Sequence, residues 1–301
     1  MLNVNDLKDN LEKVGYFSDN EIGYAVLGAV EGNLPLLIEG DPGVGKSSLA
    51  AALAKSMEIP LIRIQCYEGI APESILYDYD YSRQLLVVSA IKDKLNMTMK
   101  DMSVEESVKY VANNVEFYGK DFLLERPILK ALSMSGRKVL LIDEIDKASE
   151  EIEHTLLETL SDFAITIPEY GTVKCQPEDL PIVILTSNRY RELSSPLKRR
   201  CIYLYIHHKS AEEIARILYS RVSKNNEFCN KCANYLYQIS QLDLEHIASI
   251  SEGIAWTEFL QKKYGEDIEA ALPEIKYSLG FLAKSEGDRK KILKTVFPEY
   301  Q

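Results

Sequence analysis

Along the first two-thirds of the chain, short apolar runs alternate with stretches of helical periodicity. The runs are Leu34–Glu39, Leu61–Cys66, Lys138–Ile142, Ile182–Thr186 and Ile202–Ile206, all rich in Ile, Leu or Val. Such near-continuous runs predict parallel strands buried on both faces. Between them, Ser47–Met57 is rich in alanine and leucine, and Glu150–Leu160 sets Ile152, Leu156, Leu157 and Leu160 on one face with glutamates opposite. Both patterns predict helices. Phe163–Val173 departs from this scheme: two short β-prone runs flank Glu169-Tyr170-Gly171, which predicts a β-hairpin.

Past residue 206 the strand pattern stops. Ala211–Val222 carries Ala211, Ile214, Ala215, Leu218 and Val222 at helical spacing, and Phe228–Ile239, Leu244–Glu252, Thr257–Tyr264 and Ile268–Ala283 continue as helices. Strands alternating with helices, then helices alone, predict an α/β domain with a parallel sheet over 1–206 and a small all-helical domain over 207–301. The break falls in His207–Ser210.

Gly40-Asp41-Pro42-Gly43-Val44-Gly45-Lys46-Ser47, followed by Ser48, fits G-x-x-x-x-G-K-[ST] at each defined position. A strand precedes it and a helix follows. The glycines let backbone N–H groups turn inward around anionic oxygens, and the positive end of the helix faces the same point. Lys46 supplies a mobile charge for the outer phosphates, and the Ser47 hydroxyl can hold Mg²⁺. The loop specifies a nucleoside triphosphate without separating ATP from GTP.

Val139-Leu140-Leu141-Ile142-Asp143-Glu144 is an apolar strand ending in two carboxylates. In a parallel sheet, ligands sit beyond the carboxyl ends of the strands. Asp143 is therefore expected to face the Mg²⁺ held by Ser47, and Glu144 to orient water toward the terminal phosphate. Ile182–Thr186 ends in Ser187-Asn188, an amide placed to position that water. Arg199 and Arg200 close a short helix before the last strand. They are candidates for an arginine finger reaching a neighbouring subunit's nucleotide.

Lys46 and Asp143 lie 97 residues apart. A minimal passage through the intervening strands and helices needs only about 50–60 residues. An insert over about 67–125 is expected. It holds Tyr77, Tyr79 and Tyr81, which share one side if the chain there is extended, and Met97, Met99 and Met102. Contact surface and core are equal readings of it.

The net charge of −11 argues against a nucleic-acid partner, which would require a basic patch to offset it. Five cysteines without framework spacing fit a reducing compartment. Cys229 and Cys232 lack the second pair that a zinc site needs and read as two thiols on a helix. The N-terminus lacks a signal peptide's apolar centre and no apolar run is long enough to span a membrane, so a cytoplasmic protein is expected.

Taken together, the loop, LLIDE (140–144), LTSN (185–188), KRRC (198–201) and the helical third resemble an AAA+ ATPase. More closely, RIQCYEG (63–69), ILYDYDYSRQLL (75–86), FLLERPILKAL (122–132), LLETLSDFAITIPEYGT (156–172) and VILTSNRYREL (183–193) resemble the MoxR family and its CoxD-like branch. The resemblance implies that Gly40–Ser48 bind ATP, that Ser47 and Asp143 hold Mg²⁺, and that Glu144 and Asn188 are catalytic. It implies Arg200, directly before Cys201, as the finger acting in trans, with Arg199 as the fallback. It further implies a ring-forming homo-oligomer, usually a hexamer, that remodels a protein client with a von Willebrand factor A domain partner in cofactor or metal-centre assembly. Where related proteins carry a helical-domain arginine, this chain reads Gly253-Ile254-Ala255-Trp256-Thr257, and Trp256 reads as core. A clamp-loader or helicase-loader type of ATPase, or a nucleotide-gated scaffold with little turnover, are the alternatives.

Overall fold

A computed structural model describes residues 3–98, 102–103, 105–107, 109–110 and 117–300. The described strands, numbered along the chain, are β1 (Leu36–Gly40), β2 (Leu61–Gln65), β3 (Tyr77–Tyr79), β4 (Leu123–Glu125), β5 (Val139–Asp143), β6 (Ala164–Ile167), β7 (Gly171–Lys174), β8 (Ile182–Ser187) and β9 (Ile202–Ile206). The five apolar runs form one sheet in the order β2-β5-β8-β1-β9, parallel at every pairing. Alternate strand residues feed two cores. Leu37, Leu140, Ile142, Val183 and Leu185 enter one, while Leu36, Ile38, Val139, Leu141, Ile182 and Ile184 enter the other.

The three inner strands are buried throughout, but the two edges are not. On β2, Leu61, Arg63 and Gln65 are exposed while Ile62 and Ile64 are buried, and on β9 Tyr203 is exposed. An edge strand is packed from one side only, so burial on both faces fails there. The consequence for β2 is functional: Arg63 and Gln65 lie on its open face, and Gln65 is in register with Asp143.

Two helices precede β1 and add a layer that the apolar pattern did not announce. Val4–Lys13 is capped by Asn3, and Asn20–Gly32 by Asp19, whose carboxylate accepts from the Ile22 amide at 2.8 Å. Leu7, Leu11, Ile22 and Val26 close the second core beside the helix Lys46–Ser56. On the opposite face, the helix Glu150–Asp162, capped by Ser149, packs Ile152, Leu156 and Leu160 into the first core.

Within the insert, β3 and β4 pair antiparallel, with Tyr79 opposite Leu123. Extended chain ends at Tyr79, because the helix Tyr81–Thr98 begins directly after Asp80. Tyr77 and Tyr79 therefore share one side of β3, and Tyr81 does not join them. Tyr79 is buried, while Tyr81 opens the helix and is exposed. Met97 and Met102 are exposed and Met99 lies outside the described residues. The hairpin β6–β7 forms as expected, and the Tyr79 hydroxyl donates to the Pro168 carbonyl at its turn (3.0 Å), tying insert to hairpin.

The helical part packs a third core around Trp256, whose Nε1 donates to Ser278 Oγ at 2.9 Å. Cys229 and Cys232 lie buried there on the helix Asn226–Ser240, and burial pushes the Cys232 thiol up to about 12. Two expected helices are corrected. Leu244–Glu252 is a loop until Ile250, because the amides of Glu245 and His246 donate to the buried Asp288 carboxylate (2.9 and 3.1 Å) instead of to helical carbonyls. Ile268–Ala283 is broken into Ile268–Ala271, Ile275–Ser278 and 3₁₀ turns at Leu272–Glu274 and Leu279–Phe281. Pro273 removes an amide from any continuous ladder there. No described helix is long and apolar enough to cross a membrane.

Candidate nucleotide site

The carboxyl ends of β1, β5 and β8 lie side by side, and their order in the sheet assembles the site. Beyond β1 the chain turns through Gly40–Gly45 into the helix Lys46–Ser56. Gly45 takes φ +100° at the helix entry, a conformation that side chains disfavour. The Lys46 ammonium donates to the Gly40 and Asp41 carbonyls, both at 2.8 Å, so it sits within the ring of loop backbone. Burial lowers its affinity for a proton, and Asp146, Asp41, Asp143 and Glu144 oppose that shift.

β5 delivers Asp143, 2 % exposed, beneath the start of that helix. Its Oδ1 accepts from Ser47 Oγ at 2.6 Å and from Thr186 Oγ1 at 2.5 Å. Its Oδ2 accepts from Arg63 Nη2, also at 2.5 Å. A hydroxyl and a carboxylate converging from positions 47 and 143 form an all-oxygen donor set that fits a small hard cation such as Mg²⁺. No larger His, Cys, Asp or Glu metal cluster occurs among the described residues.

Glu144 bends away from the strand with φ +56°, uncommon for a non-glycine residue, and its amide donates to Thr186 Oγ1 at 2.9 Å. Its side chain caps no helix. Instead, one carboxylate oxygen accepts from Asn188 Nδ2 (3.1 Å) and the other from Gln65 Nε2 (2.9 Å) and Lys147 Nζ (2.7 Å). Asn188 is itself placed by the buried Asp146, which accepts from the amides of Asn188 (3.0 Å) and Tyr190 (2.8 Å). Gly40–Ser48, Asp143, Glu144 and Asn188 are thus brought into one constellation.

Arg199 and Arg200 are not part of it within this chain. Both are exposed at the end of the helix Ser195–Arg200. Arg200 donates to Ser161 Oγ (2.8 Å) and to the Pro196 carbonyl (3.3 Å).

Several site residues escaped the reading of motifs: Arg63, Gln65, Lys147, Asp146 and Thr186. For two of them the signal was present. Leu61-Ile62-Arg63-Ile64-Gln65 alternates apolar and polar, which marks an open face on a strand that ends beside Asp143.

The helical part supplies one wall. Val44, Ile214, Leu218, Ile239, Ile250 and Ile254 line a narrow apolar cleft against the loop. The Ile250 amide donates to the Gly43 carbonyl at 3.3 Å. Gly43 has φ +82°, and a Cβ there would lie 2.7 Å from Ser249 Cα. Gly43→Ala is expected to destabilise the fold by about 1–3 kcal/mol through backbone strain alone. A lowered melting temperature together with weaker ADP binding is the expected measurement, and an unchanged melting curve would show that neither the positive φ nor the approach of Ser249 constrains this position.

Comparison with known proteins agrees with this geometry. The AAA domain family (dynein-related subfamily) matches residues 35–201, more than half of the chain and every site residue from Gly40 to Arg200. The chain belongs to that AAA family. The AAA+ ATPase family to which this domain belongs uses ATP with Mg²⁺. Among curated proteins, the AAA chain is similar to a vesicle-fusing ATPase of Dictyostelium discoideum, at 31 % identity over 112 residues covering 36 % of this chain and 14 % of that protein. It is also similar to replication factor C subunit 3 of Arabidopsis thaliana, at 26 % identity over 187 residues covering 61 % of this chain and 46 % of that protein. The AAA chain thus spans less than half the length of either relative. A solved structure of a Thermotoga maritima RuvB mutant aligns at 15 % identity and a TM-score of 0.46, covering 98 % of this chain and 70 % of that one.

Proposed function

We propose that this AAA protein is a MoxR-like, CoxD-branch ATPase that turns ATP hydrolysis into remodelling of a protein client. It works in the cytoplasm as a ring, a hexamer, in partnership with a von Willebrand factor A domain protein during cofactor or metal-centre assembly. Residues 1–206 form the nucleotide-binding domain, with its insert at about 67–125 and hairpin at about 163–173, and 207–301 form the lid. The observation that carries the hydrolytic part is Glu144, held by Asn188 and Gln65 beside the Ser47–Asp143 pair. That arrangement suits water as the phosphoryl acceptor.

Each residue has a physical task in this reading. The loop amides and Lys46 bind and orient the phosphates. Glu144 fixes the attacking water and accepts its proton. Asn188 keeps the Glu144 carboxylate aimed. Ser47 and Asp143 would hold Mg²⁺, which would supply positive charge to offset that building on the phosphate oxygens. Arg200 of a neighbouring subunit adds a further positive charge. The hairpin, tied to the insert through Tyr79 and carrying Glu169 and Tyr170 at its turn, is the element that engages the client.

A nucleic-acid-associated AAA+ ATPase of clamp-loader or helicase-loader type is the second reading, favoured by the similarity to a replication factor C subunit. The net charge of −11 and the acidic hairpin turn stand against it. Phosphate release by the purified protein with ATP and Mg²⁺, measured with and without single- and double-stranded DNA and RNA, decides between them. The expected rate does not change on adding nucleic acid; a several-fold stimulation would transfer the proposal to the second reading.

A further inference from the structure

We propose that Arg189 is the side chain that grips the terminal phosphate of ATP in its own subunit, so that the site tells ATP from ADP without an arginine in the helical domain. This rests on the nucleotide reading of the loop. Arg189 follows Asn188 at the end of β8 with φ +62°, and its amide donates to Ser187 Oγ at 3.0 Å. The step turns its side chain across the mouth of the loop, where Nη2 donates to Asp41 Oδ1 at 2.9 Å. The backbone on either side is pinned, because the amides of Asn188 and Tyr190 both donate to buried Asp146. The guanidinium itself is half exposed and rests over the Tyr205 ring, 5.1 Å from its centre. A fixed base under a movable head is what a ligand-gripping arginine needs.

Charge points the same way. Asp146, Asp41, Asp143 and Glu144 all lie within electrostatic reach of Lys46, so the loop's one lysine enters an acid-rich site. A terminal phosphate adds more negative charge beside them. Asp41 sits at the lysine's end of the loop, since its own carbonyl accepts the Lys46 ammonium at 2.8 Å. That is the end serving the outer phosphates. Asp41 is therefore a carboxylate standing where anionic oxygens gather, and Arg189 and His208 Nε2 (3.0 Å) both meet it. A guanidinium bonded to Asp41 through one hydrogen bond can exchange it for a two-pronged grip on phosphate, the geometry at which arginine excels. With ADP, no terminal phosphate competes and Arg189 stays on Asp41. The segment Gly253–Thr257 offers no arginine to do this instead.

Titration calorimetry with ATP and with ADP, in Mg²⁺ and on the Glu144→Gln background, tests this. Arg189→Gln is expected to weaken ATP binding by about tenfold or more while moving ADP binding by less than about twofold, and Arg189→Lys should recover part of the loss. Asp41→Asn, which removes the competing carboxylate, should tighten ATP relative to ADP and tests the same idea independently of how Arg189→Gln folds. Equal weakening of both nucleotides by Arg189→Gln would make the arginine a support for the loop and overturn the proposal, as would no change in either. A Glu144→Gln protein that binds neither nucleotide overturns the underlying reading of the loop instead.

Discussion

Glu144→Gln will bind ATP about as tightly as the unmodified protein and release phosphate roughly 10²–10⁴-fold more slowly, the range over which a positioned general base contributes. The substitution keeps the shape of the side chain. A glutamine oxygen still accepts one of the bonds that Asn188 and Gln65 now donate, so the local geometry survives. What it loses is basicity, because an amide cannot take the proton of an attacking water. The loop, Lys46, Ser47 and Asp143 are untouched, so binding persists and the complex stalls before cleavage. Single-turnover phosphate release alongside calorimetric ATP binding makes the measurement. Particle mass by light scattering gives a second readout: with ATP, the stalled protein should hold its assembled form, whereas the parent should lose it as ATP is consumed. Turnover within a fewfold of the parent would remove Glu144 from the reaction and leave it as a partner that orders Lys147 and Gln65.

The contrast between what the sequence announces and what it conceals has a physical origin. The phosphate loop and the Asp143-Glu144 pair are local: residue type, spacing and a preceding apolar strand suffice to place them. The three inner sheet strands are legible for the same reason, since strands buried among neighbours must be apolar along their whole length, whereas the edge strands β2 and β9 show only their inward positions as buried. Contacts made across the sheet are not local. Thr186 reads as one more β-branched strand residue, yet its hydroxyl bridges Asp143 and the Glu144 amide only because β8 lies beside β5. Asp146 looks like a turn acid, and its task of seating Asn188 depends on a contact 42 residues away. The helices also show where periodicity misleads. Leu244–Ser249 has helical spacing but is captured by Asp288 from a later helix, a tertiary bond that no window of neighbouring residues contains. The Val4–Lys13 helix shows the reverse case, in which mixed charge and leucine conceal a helix whose Leu7 and Leu11 are fully used in a core.

Arg200→Ala will reduce turnover by about 10³–10⁵-fold while leaving ATP binding intact, the span associated with an arginine finger. The argument is one of position. Asp143, Glu144, Asn188 and the loop share hydrogen bonds, but Arg200 shares none with them and bonds instead to Ser161 and Pro196. An exposed guanidinium held by one hydroxyl and one carbonyl has no charged partner among the described residues to give up. Its loss should therefore cost the isolated chain little stability, and a large kinetic defect would have to arise at a second chain's nucleotide. Mixing separates the two cases. Arg200→Ala subunits keep a complete loop, and Lys46→Ala subunits keep their arginine, so a ring containing both has sites where an intact loop meets an intact finger. Part of the activity should return in the mixture although neither protein turns over alone. If the mixture stays silent, Arg200 does not act between subunits. If Arg199→Ala shows the defect and the rescue instead, the finger is the preceding residue, one position back on the same exposed helix end.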